Sequence, residues 1–131
     1  MKKLILAILL AVVSTSVMAE WTKVLNYKDN GLRVFADFNT AQQDGDSIKM
    51  WHMNDYNQYM LGAGGVKYLS TKTLVEYDCS KRTMRVLAFG YNAKNMGSGE
   101  SLYSSTLVRD WGPIFPDSQG DYLWQLACDK K

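Results

Sequence analysis

Two cysteines constrain this chain more than any other feature. Cys79 closes the stretch EYDC, residues 76–79, just before a Ser-Lys-Arg-Thr bend, and Cys128 ends the stretch DYLWQLAC near the C-terminus. What the two thiols do depends on compartment, and the first residues decide that. Met1-Lys2-Lys3 precedes an apolar run from Leu4 to Val13, and STSVMA then places Val17 and Ala19 at the −3 and −1 positions of a cleavage site. Charge, length and small residues together read as a secretory leader, residues 1–19. The run is too short for a membrane-spanning helix, which needs ~20 mostly apolar residues. No cysteine follows it to accept a lipid. The mature chain is therefore expected to be periplasmic or secreted, not lipid-anchored, and without an integral membrane segment.

In an oxidising compartment, two cysteines in a small domain pair. The other uses of cysteine fit poorly. A redox pair would favour Cys-x-x-Cys, and a zinc site would need more ligands than this chain can gather. A cysteine nucleophile would need a base, and His52 is the single histidine. A Cys79–Cys128 disulfide, by contrast, would tie a C-terminal segment to a strand. The closed loop of about 50 residues is worth roughly 4 kcal/mol in the chain-entropy model.

Between the leader and the second cysteine the pattern is mostly β. Alternating runs at 20–27, 32–38, 48–56, 67–78, 84–91 and 101–107 predict six strands, punctuated by Asp29-Asn30-Gly31, Asp44-Gly45-Asp46 and the bend at 80–83. Residues 39–43 read as a short helical turn, and LGAGG, 61–65, as a flexible connection. A loop of two or four residues at the bend would set Asp78 opposite Arg85. Ser118 is suited to cap a helix whose apolar stripe is Tyr122, Leu123, Leu126 and Ala127. Strands first and a helix last give an α+β fold, residues 20–131, with one antiparallel sheet of about six strands packed by a short C-terminal helix and one disulfide.

Charge excludes one class of partner. The precursor carries 15 basic and 13 acidic residues. Loss of Lys2 and Lys3 balances them, leaving no basic stripe for nucleic acid. Candidate sites are few. His52, mid-strand between Trp51 and Met53, reads as a partly exposed strand histidine, with no second histidine or carboxylate cluster to make a metal site. GAGGVKYLSTK is not a phosphate loop, because no Gly-Lys-Ser/Thr opens a helix there. In WGPIFPDS, 111–118, Trp111, Ile114 and Phe115 are expected to pack under the helix, with a recognition edge as the alternative. No catalytic constellation is present, so no enzyme and no cofactor are expected.

Taken in order, MWHMNDY (50–56), YLSTKTLVEYDC (68–79), MRVLAFGY (84–91), NMGSGE (95–100), WGPIFPDS (111–118) and Cys128 resemble the surface-adhesin protein E family of Gram-negative bacteria. The resemblance implies an antiparallel sheet with a C-terminal helix, bridged by Cys79 and Cys128, and a non-enzymatic role in cell adhesion at the envelope. A protein–protein contact module is thus the leading reading, with Trp111, Phe115, Tyr56, Tyr59 and His52 as candidate contact residues. Pairing of edge strands would give a homodimer. The alternative is a small-ligand binder, with a pocket between the sheet and the Gly-rich loop near Tyr56, Tyr59 and His52.

Overall fold

The computed structural model describes residues 19–129, so the leader reading falls almost wholly outside the described residues. Seven strands precede one helix: β1 Thr22–Tyr27, β2 Leu32–Asp44, β3 Ser47–Leu61, β4 Lys67–Asp78, β5 Thr83–Asn92, β6 Ser101–Ser105, β7 Gly112–Pro113 and α1 Gln119–Cys128. The sheet is an antiparallel meander in the order β1-β2-β3-β4-β5-β6. The short β7 pairs with β5 through Thr83–Pro113 and Met84–Gly112. Among the described residues one α-helix of 10 residues stands against seven strands, so the fold is predominantly β, and the seventh strand is the one that prolines had hidden.

Turns fix the register. At Gly31 (φ 64°) a Cβ would lie 2.8 Å from the Asn57 side chain, so only glycine lets the first hairpin close against β3. The β4–β5 hairpin closes at Asp78–Thr83, which sets Tyr77 opposite Met84 and Glu76 opposite Arg85. Arg85 therefore pairs with Glu76 at 2.7 Å, not with Asp78. The Asp78 carboxylate instead accepts from the backbone N–H of Ser80 and Lys81 and shapes the bend.

Two departures from expectation lie in β2 and β3. Residues 39–43 are not a helical turn but the continuation of β2, which resumes pairing at Gln42–Lys49 after a bulge beyond Asp37. A second bulge, between Asp55 and Met60, carries β3 on to Leu61. Bulges insert unpaired residues without ending a strand, and this polar sequence has no periodicity that would reveal them.

One face of the sheet is covered. Val34, Ala36, Ile48, Met50, Val75 and Tyr77 point toward Leu123 and Ala127 of α1, and Ile114 closes the layer. Ser118 caps the helix, its hydroxyl accepting from the Asp121 N–H at 3.1 Å. Cys79 falls just outside the ladder, free to reach the last residue of α1, and the disulfide to Cys128 spans 5.7 Å between Cα atoms. Trp124 adds a second tether, donating from Nε1 to the Asp78 carbonyl at 3.0 Å, while Arg82 lies 5.0 Å over its ring.

Candidate functional site

The residues singled out from the sequence do not converge. His52 lies beneath the helix at 3% exposure, not at the surface. Its neighbours across the ladder, Ala36 and Thr73, are small enough to admit the ring. Its Nε2 is 2.7 Å from the Tyr77 hydroxyl, and Nδ1 has no protein partner. Burial holds the imidazole pKa down at about 4, since charging it there forfeits hydration. Burial likewise pushes the Tyr77 hydroxyl well above its ordinary value. His52 is thus a neutral core histidine.

Trp111 and Phe115 sit at the end of the sheet where β7 meets Met84. The expected packing of this loop is realised by Ile114 alone. Phe115 is 71% exposed and Trp111 41%. Pairing of Gly112 and Pro113 with β5 dictates this, because alternation along an extended chain turns Ile114 inward and Phe115 outward. Trp111 is not idle, since Arg85 stacks over it at 4.5 Å.

Tyr56 and Tyr59 belong to the opposite end. Ile48, level with Tyr77 and Met84, precedes Tyr56 by eight positions along β3, a distance of roughly 27 Å at strand rise. The two groups thus occupy different ends of the sheet. The cleft that His52 lines, about 280 Å³, opens between the sheet and α1 beside Thr73, Leu123 and Gln119. It is separate from the Gly-rich connection.

That second end is the aromatic one. Tyr56, Tyr68, Tyr91, Phe89 and Tyr103 form a continuous chain of ring contacts across β3 to β6, with centroids 4.3–5.9 Å apart and Tyr68 stacked on Tyr91. Such pairs add about 0.5–1.5 kcal/mol each beyond their burial. The Gly-rich connection lies on this chain. A Cβ at Gly62 would come within 2.8 Å of the Tyr91 ring, and Gly62 donates to the Val66 carbonyl at 2.7 Å. The glycines therefore allow close packing of the connection against the rings. Tyr59 (64%), Leu61 (71%) and Tyr103 (44%) project from the same end into solvent.

A polar post underlies it. Asp55, 1% exposed, accepts from Arg33, from Asn95 Nδ2 at 2.9 Å and from the Met96 N–H at 2.8 Å. Burial alone would raise its pKa, but the hydrogen bonds from Arg33, Asn95 and Met96 outweigh it and hold the carboxyl below its ordinary value. Ser70 completes the post, donating to the Lys94 carbonyl and accepting from the Gly97 N–H. Residues 95–97 are pinned so firmly that Met96 adopts φ 58°. Sequence reasoning missed this network, because its members are 22 to 41 residues apart and individually ordinary. Strand alternation through Met53 and Asp55 is the one signal that pointed to it.

Among the described residues, no group of three His, Cys, Asp or Glu could hold a metal, and no helix is long and apolar enough to cross a membrane.

The family model described as surface-adhesin protein E matches residues 21–129. Three solved structures of similar fold are all of Haemophilus influenzae protein E, each 11% identical over 88% of this chain. One covers 89% of that chain at a TM-score of 0.63, and a second crystal form covers 92% at 0.66. The non-typeable strain's protein is covered over 79% at 0.62. No curated protein matches at the sequence level.

Proposed function

This chain belongs to the surface-adhesin protein E family, and from that premise we propose that it is an exported, non-enzymatic envelope module acting by protein–protein contact through the aromatic end of its sheet. The observation that carries the reading is the tyrosine chain. It runs from buried Tyr68 through Tyr91 outward to solvent-facing Tyr103, and the exposed Tyr59 and Leu61 flank it at the same end of the sheet. Tyrosines and exposed aliphatics on a rigid backing are the side chains that dominate contact energetics, because they remove much apolar area from water at little entropic cost. The post at Asp55 supplies the rigidity. Trp111 and Phe115, at the other end, form a smaller second patch. Cleavage after Ala19 would release the mature chain. The free outer edges of β1 and β6 would permit pairing with a second copy.

The test is cross-linking of the mature chain to envelope extract, read by mass spectrometry. The wild type should retain a defined protein set, and the Tyr59→Ser, Leu61→Ser, Tyr103→Ser triple variant should lose it at least tenfold. A Trp111→Ser, Phe115→Ser variant should keep it. Equal retention by the triple variant refutes the assigned surface.

A further inference from the structure

Asp37 is a carboxylate without a cation. It is 3% exposed, and among the described residues no lysine, arginine or histidine pairs with it. Its two oxygens are met by backbone groups: Oδ1 accepts from the Asn39 N–H at 3.1 Å, and Oδ2 from the Glu20 N–H at 3.2 Å. Buried charges are almost always paired, since two neutral donors recover only part of the lost hydration.

The partner nitrogen is the unusual one. Glu20 is the residue that follows the predicted cleavage site after Ala19. The bulge of β2 grips it at a second point, where Asn39 Nδ2 donates to its side-chain carboxylate at 2.7 Å. The bulge is itself braced: Thr40 Oγ1 donates to the Asp37 carbonyl and accepts from the Trp51 N–H. Asp37, Asn39 and Thr40 thus form a shaped receptor around one residue near the chain terminus. β1 begins directly beyond it at Thr22, opposite Ala36.

We propose that Asp37 binds the α-ammonium group of Glu20, created when the leader is removed, while Asn39 holds the Glu20 side-chain carboxylate, and that maturation converts a neutral hydrogen bond into a buried ion pair. The proposal rests on the cleavage reading for its ligand. Hydrolysis breaks the Ala19 C–Glu20 N bond. Water gives its hydroxyl to the Ala19 carbonyl carbon, and the Glu20 nitrogen leaves as an amine that takes up a proton to become the ammonium. That nitrogen needs no movement to reach Asp37. An uncleaved precursor leaves the Asp37 carboxylate with amide donors only, so the precursor domain is the less stable form.

Two recombinant chains test this: residues 20–131 beginning with free Glu20, and the same chain carrying a Gly-Ala extension at its N-terminus. The free chain should have an unfolding equilibrium constant at least tenfold smaller at pH 7. Its α-amino pKa, followed by nitrogen NMR, should lie above the ordinary value of about 7.7–8.0. A raised folded-state pKa gives stability that is complete below the unfolded value and lost as pH rises through the folded one, so the advantage should vanish at alkaline pH. Asp37→Asn should erase the difference between the two chains. Equal stability of the two chains, or a difference that survives Asp37→Asn, overturns the ion pair. N-terminal sequencing of the exported protein is a separate arm: a start other than Glu20 removes the ligand and overturns the proposal even if the recombinant pair behaves as described.

Discussion

Replacing both cysteines with alanine isolates what the Cys79–Cys128 bond contributes. The two residues are 49 apart in sequence, so the oxidised unfolded chain contains a loop of about 50 residues. The loop-closure expression, −2.1 − 1.5R ln n cal/mol/K, then gives about 4 kcal/mol at 25 °C. Against ~5–15 kcal/mol for a domain, that is about a quarter or more of the whole. In urea, with a slope of ~2 kcal/mol/M, the midpoint should fall by about 2 M. The slope of the variant should also steepen, because its unfolded chain is freer to expand. Tryptophan fluorescence is a suitable probe, since Trp124 reports on helix docking and Trp51 on the sheet. Coincident curves would show that helix and sheet still unfold together. A midpoint shift under about 0.5 M at unchanged slope would refute the entropic argument. It would mean that the Trp124 and Arg82 contacts, with Leu123 and Ala127 in the core, already hold α1 without the bond.

Other consequences are open to measurement. His52 is neutral when folded, with a pKa of about 4 against 6.5 unfolded, so the unfolded state binds more protons between those values. Stability should therefore fall by about 3 kcal/mol as pH drops from 6.5 to 4, and His52→Phe should flatten that slope in a urea titration at several pH values. Asp55 acts in a lower window: its depressed pKa contributes stability that disappears as its carboxylate protonates. Asp55→Ala should cost roughly 3 kcal/mol by denaturant unfolding and raise amide exchange at residues 95–97, because Arg33, Asn95 and Met96 lose a common acceptor. Ser118→Ala should cost about 1 kcal/mol in thermal unfolding by removing the helix cap.

The legible parts of the fold were those specified locally. The Ser118 cap and the stripe through Leu123 and Ala127 announce α1, and glycine in the first two turns announces the hairpins. The pairing of Cys79 with Cys128 was legible because the sequence holds two cysteines and no third thiol competes. The illegible parts depend on partners remote in sequence. Residues 39–43 have no intrinsic preference that outweighs pairing with β3, and their bulge carries Asn39 to the Glu20 side chain. His52 shares the core face with Ile48 and Met50 of the same strand, though from sequence it reads as partly exposed. Its polarity suggested the surface, and Tyr77, 25 residues on, is what makes burial tolerable. The candidate contact residues failed to converge for a simpler reason: composition marks an aromatic as available without saying which end of a sheet it occupies.

The order in which the strands appear has a kinetic corollary. A ribosome or translocation channel delivers the chain from its N-terminus, and each strand from β2 to β6 docks beside the one just before it. The sheet can therefore grow by successive local hairpins, with no early strand waiting for a distant mate. The sulfur at Cys79 is released long before its mate at Cys128, which arrives with the final turn of the chain. Covalent closure must therefore wait for the segment that carries Cys128, and the two cysteines of this sequence have only each other to pair with.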